Sequence, residues 1–415
     1  MSLIERVVIV GAGHAGGRVV QNLRELGFAG KVMLIGDEKH TPYERPALSK
    51  ELLLDSESGV ESITLGPKEF WEQSNSYERI VGRVKQLHPG AKRLTLENGQ
   101  EIEFDTLVLA TGGQPRELAI PGVELPQVHT LRTIDDSLAI KEALGAARQM
   151  IVVGAGVIGM EVAASARLRG VQVTVLEYGD RILARCLPEQ ASHWLRSLHE
   201  DKGVSIHTCF SVQGIEQLVE GVGLSVSALD ELGKTHHFNT DLVLMAVGID
   251  CRLDYLDGSG VEVNNGIVVD AFCRVPSMPW VYAVGDVANT PNELLGFSMR
   301  LETWRNAENQ ARAVAEFICN ERSDPYVEIP WMWTDQYEHN IQVIGIPDAQ
   351  NQIVMRGDFN KGSGSLIWVR DEVVVGGVLL NNARDRRPLE ELVKRGASVD
   401  VKLLQDAGCQ LRTLL

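Results

Sequence analysis

Paired cysteines are missing from this sequence. Its 415 residues include six cysteines, Cys186, Cys209, Cys251, Cys273, Cys319 and Cys409. No two stand at C-x-x-C spacing, which argues against a dithiol redox centre and against a cysteine-ligated zinc or iron–sulfur site. Scattered single thiols read as reduced, mostly buried side chains of a cytosolic protein. Basic charge is also short, with 40 Lys and Arg against 56 Asp and Glu and a formal net charge of -16. So acidic a body is a poor nucleic-acid binder, because phosphate contacts need a basic face. No apolar run approaches the ~18 residues of a membrane span. The N-terminus has no basic region followed by an apolar stretch, so no export signal is expected. The histidines form no ligand-spaced set, and no metal site is expected. These absences leave a cytoplasmic protein without a nucleic-acid or membrane partner. What is plentiful is apolar residues, 44%, and glycine, 40 residues. The first excludes wholesale disorder and the second implies many tight turns. The length suits roughly two or three domains.

The chain opens with a β-branched run, Arg6–Val10, followed at once by Gly11-Ala-Gly-His-Ala-Gly16. An amphipathic segment to about Leu26 predicts a helix, and residues 31–35 predict a second strand, which makes a βαβ unit. The same grammar returns at Met150–Val153, Gly154-Ala-Gly-Val-Ile-Gly159, a helix to about Gly170 and a strand at 172–176. Phe104–Gly112 echoes Thr240–Gly248, and each follows a hairpin-like stretch, turning at Asn98-Gly99 and around Asp230–Gly233. The chain therefore carries two copies of one nucleotide-domain plan. From about Tyr326 the character changes. Strand-like runs at 341–346, 352–359 and 365–380 and a helix at about 388–395 predict a separate α+β domain.

Each G-x-G-x-x-G sits between a strand and a helix, where it can work. Gly11 and Gly154 permit the tight turn. Gly13 and Gly156 let the backbone approach a pyrophosphate, and Gly16 and Gly159 let the helix pack closely. Asp37 ends the second strand, where a carboxylate accepts from a ribose. Glu177 ends the equivalent strand of the second copy, where it favours the free 2′-hydroxyl of NADH over the 2′-phosphate of NADPH. Arg181 and Arg185 follow it and could blunt that preference. Two dinucleotide folds holding two nicotinamides would have no redox acceptor between them. A bound flavin visited by a nicotinamide is the economical reading.

Further motifs are Pro42-Tyr-Glu-Arg-Pro-Ala-Leu-Ser-Lys50, Leu109-Ala-Thr-Gly-Gly-Gln-Pro-Arg116, Leu131-Arg-Thr133, Ala283-Val-Gly-Asp286, Arg300-Leu-Glu-Thr-Trp-Arg-Asn-Ala307 and Trp331-Met-Trp-Thr-Asp-Gln336. With the two fingerprints they resemble the FAD-dependent NADH:ferredoxin reductases that serve Rieske oxygenases and bacterial cytochromes P450, flavoproteins similar in fold to glutathione reductase. The resemblance covers nearly the whole chain. It departs at Pro46-Ala47, where relatives often have two prolines. It implies an α/β chain of two Rossmann-like domains plus a C-terminal α+β interface domain. The FAD domain would be discontinuous, 1–114 and 248–325, with the NADH domain at 115–247 and the interface domain at 326–415.

The resemblance also implies roles. Gly11, Gly13, Ala15, Gly16 and Asp37 would hold the FAD pyrophosphate and ribose. Arg45 and Lys50 would approach the flavin, and Val84 would meet the adenine through its backbone. Ala110, Thr111 and Gly112 would close over the cofactor, with Arg132, Gly285 and Asp286 binding it and Trp304 and Trp333 beside the isoalloxazine. Gly154, Gly156, Val157, Ile158, Gly159, Glu177 and Gly248 would hold NADH, with Glu161 and Glu302 facing the nicotinamide. Lys50, Glu161 and Glu302 are the catalytic candidates. Taken alone, Lys50 and Glu161 read as unconnected surface charges. In the motif, Glu161, in the first turn of the second nucleotide helix, supplies the anion that a buried Lys50 needs. His14 reads equally as an FAD contact and as a tolerated side chain. Trp331-Met332-Trp333 reads equally as core and as cofactor contact.

Single-cysteine relatives of this fold would need a thiol in the Tyr43–Lys50 loop, and that loop has none. Electrons must therefore leave the flavin directly. The implied activity is hydride transfer from NADH to tightly, non-covalently bound FAD, then single electrons to a [2Fe–2S] ferredoxin feeding an oxygenase. Rubredoxin or monodehydroascorbate as acceptor, or a flavin-binding scaffold like apoptosis-inducing factor, are the alternatives, and a homodimer is left open. An acidic partner needs a local basic patch on this acidic body. Arg300, Arg305 and Arg312 offer one source, and Arg384, Arg386, Arg387, Lys394 and Arg395 another, unless neighbouring carboxylates neutralise them.

Overall fold

A computed structural model describes residues 4–54, 59–73, 76–218 and 223–415. Contacts divide the chain into two compact units. The first comprises Met1–Pro46, Gly59–Gln114 and Ile249–Glu328. The second comprises Ala47–Ser58, Pro115–Gly248 and Ile329–Leu415.

The first unit is built on a six-stranded sheet. Its strands run Arg274–Val275, Met278–Ala283, Thr106–Leu109, Arg6–Val10, Lys31–Gly36 and Glu78–Val81 in spatial order. All neighbours are parallel except the first pair. Val7, Val8 and Ile9 are fully buried, as a parallel strand covered on both faces requires. The strand Arg6–Val10 lies between Lys31–Gly36 and Thr106–Leu109, so the strand order reverses at its carboxyl end, where open α/β sheets bind ligands. The helix His14–Glu25 starts there. A meander of Val84–His88, Arg93–Leu96 and Glu101–Glu103 is inserted, with its second turn at Asn98-Gly99.

The second unit repeats the plan. Its five-stranded parallel sheet runs Val204–His207, Gln172–Leu176, Gln149–Val153, Leu242–Met245 and Val128–His129. The helix Val157–Leu168 follows the central strand. The expected meander is present as Ser211–Gln217, Leu224–Leu229 and Thr235–Thr240, with Gly233 in its second turn.

The same unit contains a five-stranded antiparallel sheet, ordered Trp331–Gln336, His339–Ile344, Val373–Leu380, Ser363–Arg370 and Gln352–Asp358, with the helix Arg386–Arg395 after it. Here the structure departs from the sequence pattern. The run 365–380 is two strands, not one. The chain reverses at Asp371 and Glu372, both left-handed at φ 49° and 64°. A two-residue turn of this hand normally signals itself with Asn-Gly or Asp-Gly; without glycine it passes unnoticed inside an apolar run. Likewise Trp331–Gln336 is a full edge strand of this sheet.

Local conformation and burial each lead to a measurable outcome. A left-handed L-residue costs roughly 1 kcal/mol, so Glu372→Gly should raise stability by about 0.5–1 kcal/mol, read as a higher denaturant midpoint. An unchanged or lower midpoint would show that the turn is not strained. The second outcome concerns His199, which is fully buried on the helix Glu189–Asp201. Burial lowers its pKa to about 4, against ~6.5 in an unfolded chain. The unfolded chain takes up this proton first as pH falls. Stability present above ~6.5 should therefore be lost towards about 4, by up to about 3 kcal/mol. His199→Gln, which cannot titrate, should flatten that part of the stability profile. A profile as steep as the parent's would contradict the assignment.

Candidate active site

Both fingerprints are shaped by backbone crowding at their ends and openness in the middle. A Cβ on Gly16 would sit 1.9 Å from the Gly11 carbonyl oxygen, and one on Gly159 would sit 2.2 Å from that of Gly154. A Cβ on Gly11 or Gly154 would strike the Ala110 or Ala246 carbonyl at 2.1 and 2.5 Å. Those carbonyls belong to the paired echoes Phe104–Gly112 and Thr240–Gly248. The middle glycines differ. A Cβ on Gly156 would meet nothing within 4 Å, and one on Gly13 would meet only the Arg45 guanidinium, at 3.2 Å. Neither following helix has a side-chain cap or an acid in its first turn. Their leading N–H groups and the positive end of the helix dipole are thus left to an anion. These residues fit the pyrophosphates of FAD and NADH.

In the first unit the structure gathers most of the residues assigned to FAD. Arg45 pairs with Glu38 at 2.7 Å and lies over the Tyr43 ring. Burial alone would lower its pKa, but Tyr43, Glu38 and Asp286 together raise it, so this cation faces Asp286 and stays charged. Asp37 is bonded to Arg83 at 2.7 Å. Burial pushes its carboxyl up, yet the Arg83 hydrogen bond and charge outweigh this and hold it below the usual range. The Thr111 hydroxyl is 3.5 Å from the Tyr255 hydroxyl. Val84 and Ala110 are buried, and the Gly285 N–H donates to Gln310.

His14 is tied into a polar cluster. Its Nε2 is 2.5 Å from Glu308, its Nδ1 is 3.4 Å from Glu44, and its ring lies 5.5 Å from Trp304. Trp304 Nε1 donates to Glu44. The trio His14, Glu44 and Glu308 is compact enough to hold a metal ion. Arg18 bonds to Glu308 and approaches Glu44 at 3.5 Å, so a cation is already supplied. Glu302 is paired with Arg300 at 2.6 Å.

Lys50, Arg132 and Trp333 belong to the second unit, where Lys50 and Glu161 do meet, at 3.2 Å. The helix begins at Val157, so Glu161 lies in its second turn, not its first, and is 4% exposed. Burial raises its carboxyl pKa, against the Lys50 charge and hydrogen bonds from Ser49 and Thr334. The Ser49 hydroxyl donates to Oε2 at 2.5 Å and the Thr334 hydroxyl to Oε1 at 2.6 Å. Lys50 also bonds to Asp335 at 3.3 Å and stands 5.3 Å from the Trp333 ring centre. Trp333 stacks on Trp331 at 5.2 Å, and the Arg386 guanidinium caps Trp331 at 5.6 Å. Met332 points away into the core. The alternation of one strand thus gives core on one face and aromatic–cation stacking on the other. Ser49, Thr334 and Asp335 join this cluster without being motif-assigned, although each lies inside a motif. Ser49 had adjacency to Lys50 as its signal. For the other two it was the period of two along the strand, which sets Thr334 on the face of Met332 and Asp335 on that of Trp333. Neither signal speaks until Glu161 is known to be buried.

Glu177 caps the second fingerprint itself. It accepts from Ala155 N–H at 2.5 Å and from Gly179 N–H at 2.7 Å. Arg181 donates to the Leu187 and Ala184 carbonyls, and Arg185 is exposed. All six cysteines are free thiols. Burial raises Cys273 to about 12 and Cys186 to about 11, which leaves both inert near neutral pH.

Residues 5–311 match the pyridine nucleotide-disulphide oxidoreductase family, and residues 331–415 match the reductase C-terminal domain. The chain is 34% identical over 409 residues, 98% of each chain, to the ferredoxin--NAD(+) reductase component of the anthranilate 1,2-dioxygenase system of Burkholderia cepacia. Its fold is similar to the ferredoxin reductase for the CYP199A2 system from Rhodopseudomonas palustris, with a TM-score of 0.92 and 32% identity over 99% of each chain. It is also similar to the covalent putidaredoxin reductase–putidaredoxin complex, with a TM-score of 0.90 and 29% identity over 99% of this chain and 98% of that one. The doubled cradle, its glycines and the C-terminal sheet thus have one account: the chain belongs to the pyridine nucleotide-disulphide oxidoreductase family and carries the reductase C-terminal domain.

Proposed function

We propose that the protein is a flavoprotein NADH:ferredoxin reductase, which passes electrons singly to a [2Fe–2S] ferredoxin feeding an aromatic-ring dioxygenase or a cytochrome P450 in the cytoplasm. One observation carries the reading. Two dinucleotide cradles stand in one chain, and the six cysteines are single free thiols, so no dithiol shuttle relays the electrons. The relatives named above are ferredoxin reductases, which supports ferredoxin over rubredoxin or monodehydroascorbate as acceptor. Among the described residues no helix is long and apolar enough to cross a membrane.

Bound FAD would supply a centre that takes a hydride from NADH and releases electrons one at a time. The chain's own residues do the positioning. The N–H groups opening the helix His14–Glu25 hold the FAD pyrophosphate, and Asp37 takes the ribose. Arg45, beside Gly13, has Asp286 as a counter-charge, while Thr111, Gly112 and Gly285 would close the cradle. In the second unit, Gly156, Val157 and Ile158 hold the NADH pyrophosphate, and Glu161 orients the nicotinamide. Lys50 opposes the proton uptake that burial favours at Glu161. Glu177, pinned by two N–H groups, still has lone pairs for a ribose hydroxyl.

The purified yellow protein should bleach within seconds of anaerobic NADH addition and then reduce a [2Fe–2S] ferredoxin. Bleaching without ferredoxin reduction, or faster reduction of rubredoxin, would overturn the acceptor. Glu177 should make NADH the better donor by several-fold to a few hundredfold, since an unpaired charge contact is worth ~1–3 kcal/mol. Glu177→Ala should narrow the gap, and equal kcat/KM for NADH and NADPH in the parent would refute the role.

Ferredoxin docking falls to one of the two basic sources. Arg300, Arg305 and Arg312 are paired with Glu302, Glu328 and Glu316 at 2.6, 3.1 and 2.9 Å. In the C-terminal domain Arg386 and Arg395 are paired with Glu390 and Glu391, and Arg384 is 82% exposed beside Asp385. Arg387 and Lys394 are exposed, and among the described residues neither has a carboxylate at ion-pair distance. Charge reversal of Arg384 and Arg387 should raise KM for ferredoxin severalfold and leave ferricyanide reduction untouched. The parent association rate should fall as salt rises past ~0.1 M. A rate indifferent to both would move docking to the partly exposed edges of Trp331 and Trp333.

A further inference from the structure

Behind Glu161 the second unit contains a run of polar side chains that neither cradle explains. Thr334 and Gln336 project from the same face of the edge strand Trp331–Gln336, and His199 projects from the helix Glu189–Asp201. Thr334, Gln336 and His199 are 0%, 1% and 0% exposed. Their atoms form an unbroken series. The Thr334 hydroxyl is 2.6 Å from Glu161 Oε1, Gln336 Nε2 is 3.1 Å from Thr334 Oγ1, His199 Nε2 is 2.6 Å from Gln336 Oε1, and the Tyr337 hydroxyl is 3.3 Å from His199 Nδ1.

The direction of every bond is forced by what each group can do. An ionised Glu161 only accepts, so Thr334 must give it its one hydroxyl proton. Towards Gln336, Thr334 can then only accept, so Gln336 presents its NH₂ there and its oxygen to His199. His199 must in turn donate from Nε2. A neutral ring then has a lone pair at Nδ1, which Tyr337 satisfies. Four donors in series point at one carboxylate, each polarising the next in a dry environment.

We propose that His199 is a positioning residue for Glu161. Through Gln336 and Thr334 it completes a one-way chain of hydrogen bonds that keeps the Glu161 carboxylate ionised and fixed in orientation. Protonating Glu161 would remove the reason for that polarity, so the chain opposes the proton uptake that burial favours. A His199 held neutral by burial supplies the donor without adding a charge. The other groups facing the series are Lys50, with Asp335 behind it, at the Glu161 end. At the Tyr337 end stand Lys202, 5.3 Å from the ring centre and paired with Glu338, and the charge of Arg167. The functional consequence rests on the reading of Glu161 as the group that orients the nicotinamide.

The test uses the FAD-loaded protein and two readouts. One is the protonation midpoint of Glu161, taken from the infrared carboxylic-acid band across pH as the difference between parent and Glu161→Gln. The other is the pH profile of bound-flavin reduction by NADH in stopped flow. His199→Leu breaks the chain and should raise the Glu161 midpoint by about one pH unit, a tenfold gain in proton affinity. The low-pH limb of the reduction profile should move with it. His199→Gln, which offers an N–H to Gln336 and an oxygen to Tyr337, should restore both. Tyr337→Phe, at the outer end, should shift the midpoint in the same direction by less. A midpoint that moves while the kinetic limb stays would support the chain and remove Glu161 from hydride transfer. A midpoint unmoved in His199→Leu, or in Tyr337→Phe should the first variant not fold, would overturn the proposal and leave the series as packing.

Discussion

The constraint on which both cradles depend is a contact between backbones that no side chain could survive. Where a Cβ on Gly16 would lie 1.9 Å from the Gly11 oxygen, the helix is pressed onto the turn that precedes it. That pressure aims the helix's leading N–H groups at the carboxyl edge of the sheet. The edge lies at the point where the strand order reverses, where open α/β sheets bind ligands. The second cradle repeats the arrangement with Gly159 and Gly154. The Ala110 and Ala246 carbonyls press on the first glycine of each copy, so the strands Thr106–Leu109 and Leu242–Met245 that lead into them help to shape the two turns. This is why Phe104–Gly112 and Thr240–Gly248 resemble one another.

Against this backbone frame, the second unit spends its polar side chains on a single buried charge. Desolvating an ion pair costs several kcal/mol per ion unless the remaining lone pairs are satisfied. Glu161 meets that condition with Lys50 and two hydroxyls, while Lys50 in turn reaches Asp335 and the Trp333 ring. Ser49 is tied down further, its carbonyl accepting from Ser165 on the helix that carries Glu161. Ser137, on the helix Ile134–Ala146, likewise donates to the Leu48 carbonyl. The short segment bearing Ser49 and Lys50 is therefore positioned by polar bonds from two helices, which explains why its contacts place it in the second unit although it follows the first unit's second strand.

Much of this was legible in the sequence, for physical reasons that differ by feature. Both βαβ units could be read because a doubly covered parallel strand must be apolar throughout and because the fingerprint glycines have no substitutes. The hairpins at Asn98-Gly99 and Gly233 were visible because left-handed turns usually need glycine or asparagine. The hairpin at Asp371-Glu372 was hidden because it places two ordinary residues in that conformation. Lys50 and Glu161 could be joined only through motif resemblance, since nothing local says that either is buried. The pairing of His14 with Glu308, nearly the whole length of the first unit apart in sequence, left no trace at all. Nor did the chain through His199, whose members are ordinary polar residues until the strand and helix bring them into line.

The scattered cysteines gain their meaning from this arrangement. A family whose name records disulphide chemistry is represented here by a chain in which every thiol is single. Burial pushes Cys186 and Cys273 far above neutral pH, so they behave as small apolar side chains. Cys251 has the Arg300 guanidinium at 3.1 Å, which would lower its pKa, yet burial outweighs it and the thiol stays protonated. Arg300 also binds the Asp286 carbonyl and the Glu302 carboxylate, so its charge is already engaged. With thiol relays removed, what the chain offers near its buried ion pair is aromatic. Lys50, Trp333, Trp331 and Arg386 lie in sequence from cation to ring to ring to cation, ending on a partly exposed guanidinium. Both rings are also tied through their indole N–H groups, Trp331 donating to Gln342 at 3.3 Å and Trp333 to Asp335 at 3.0 Å. The stack is therefore held at its two ends by cations and along its edge by side chains of its own sheet.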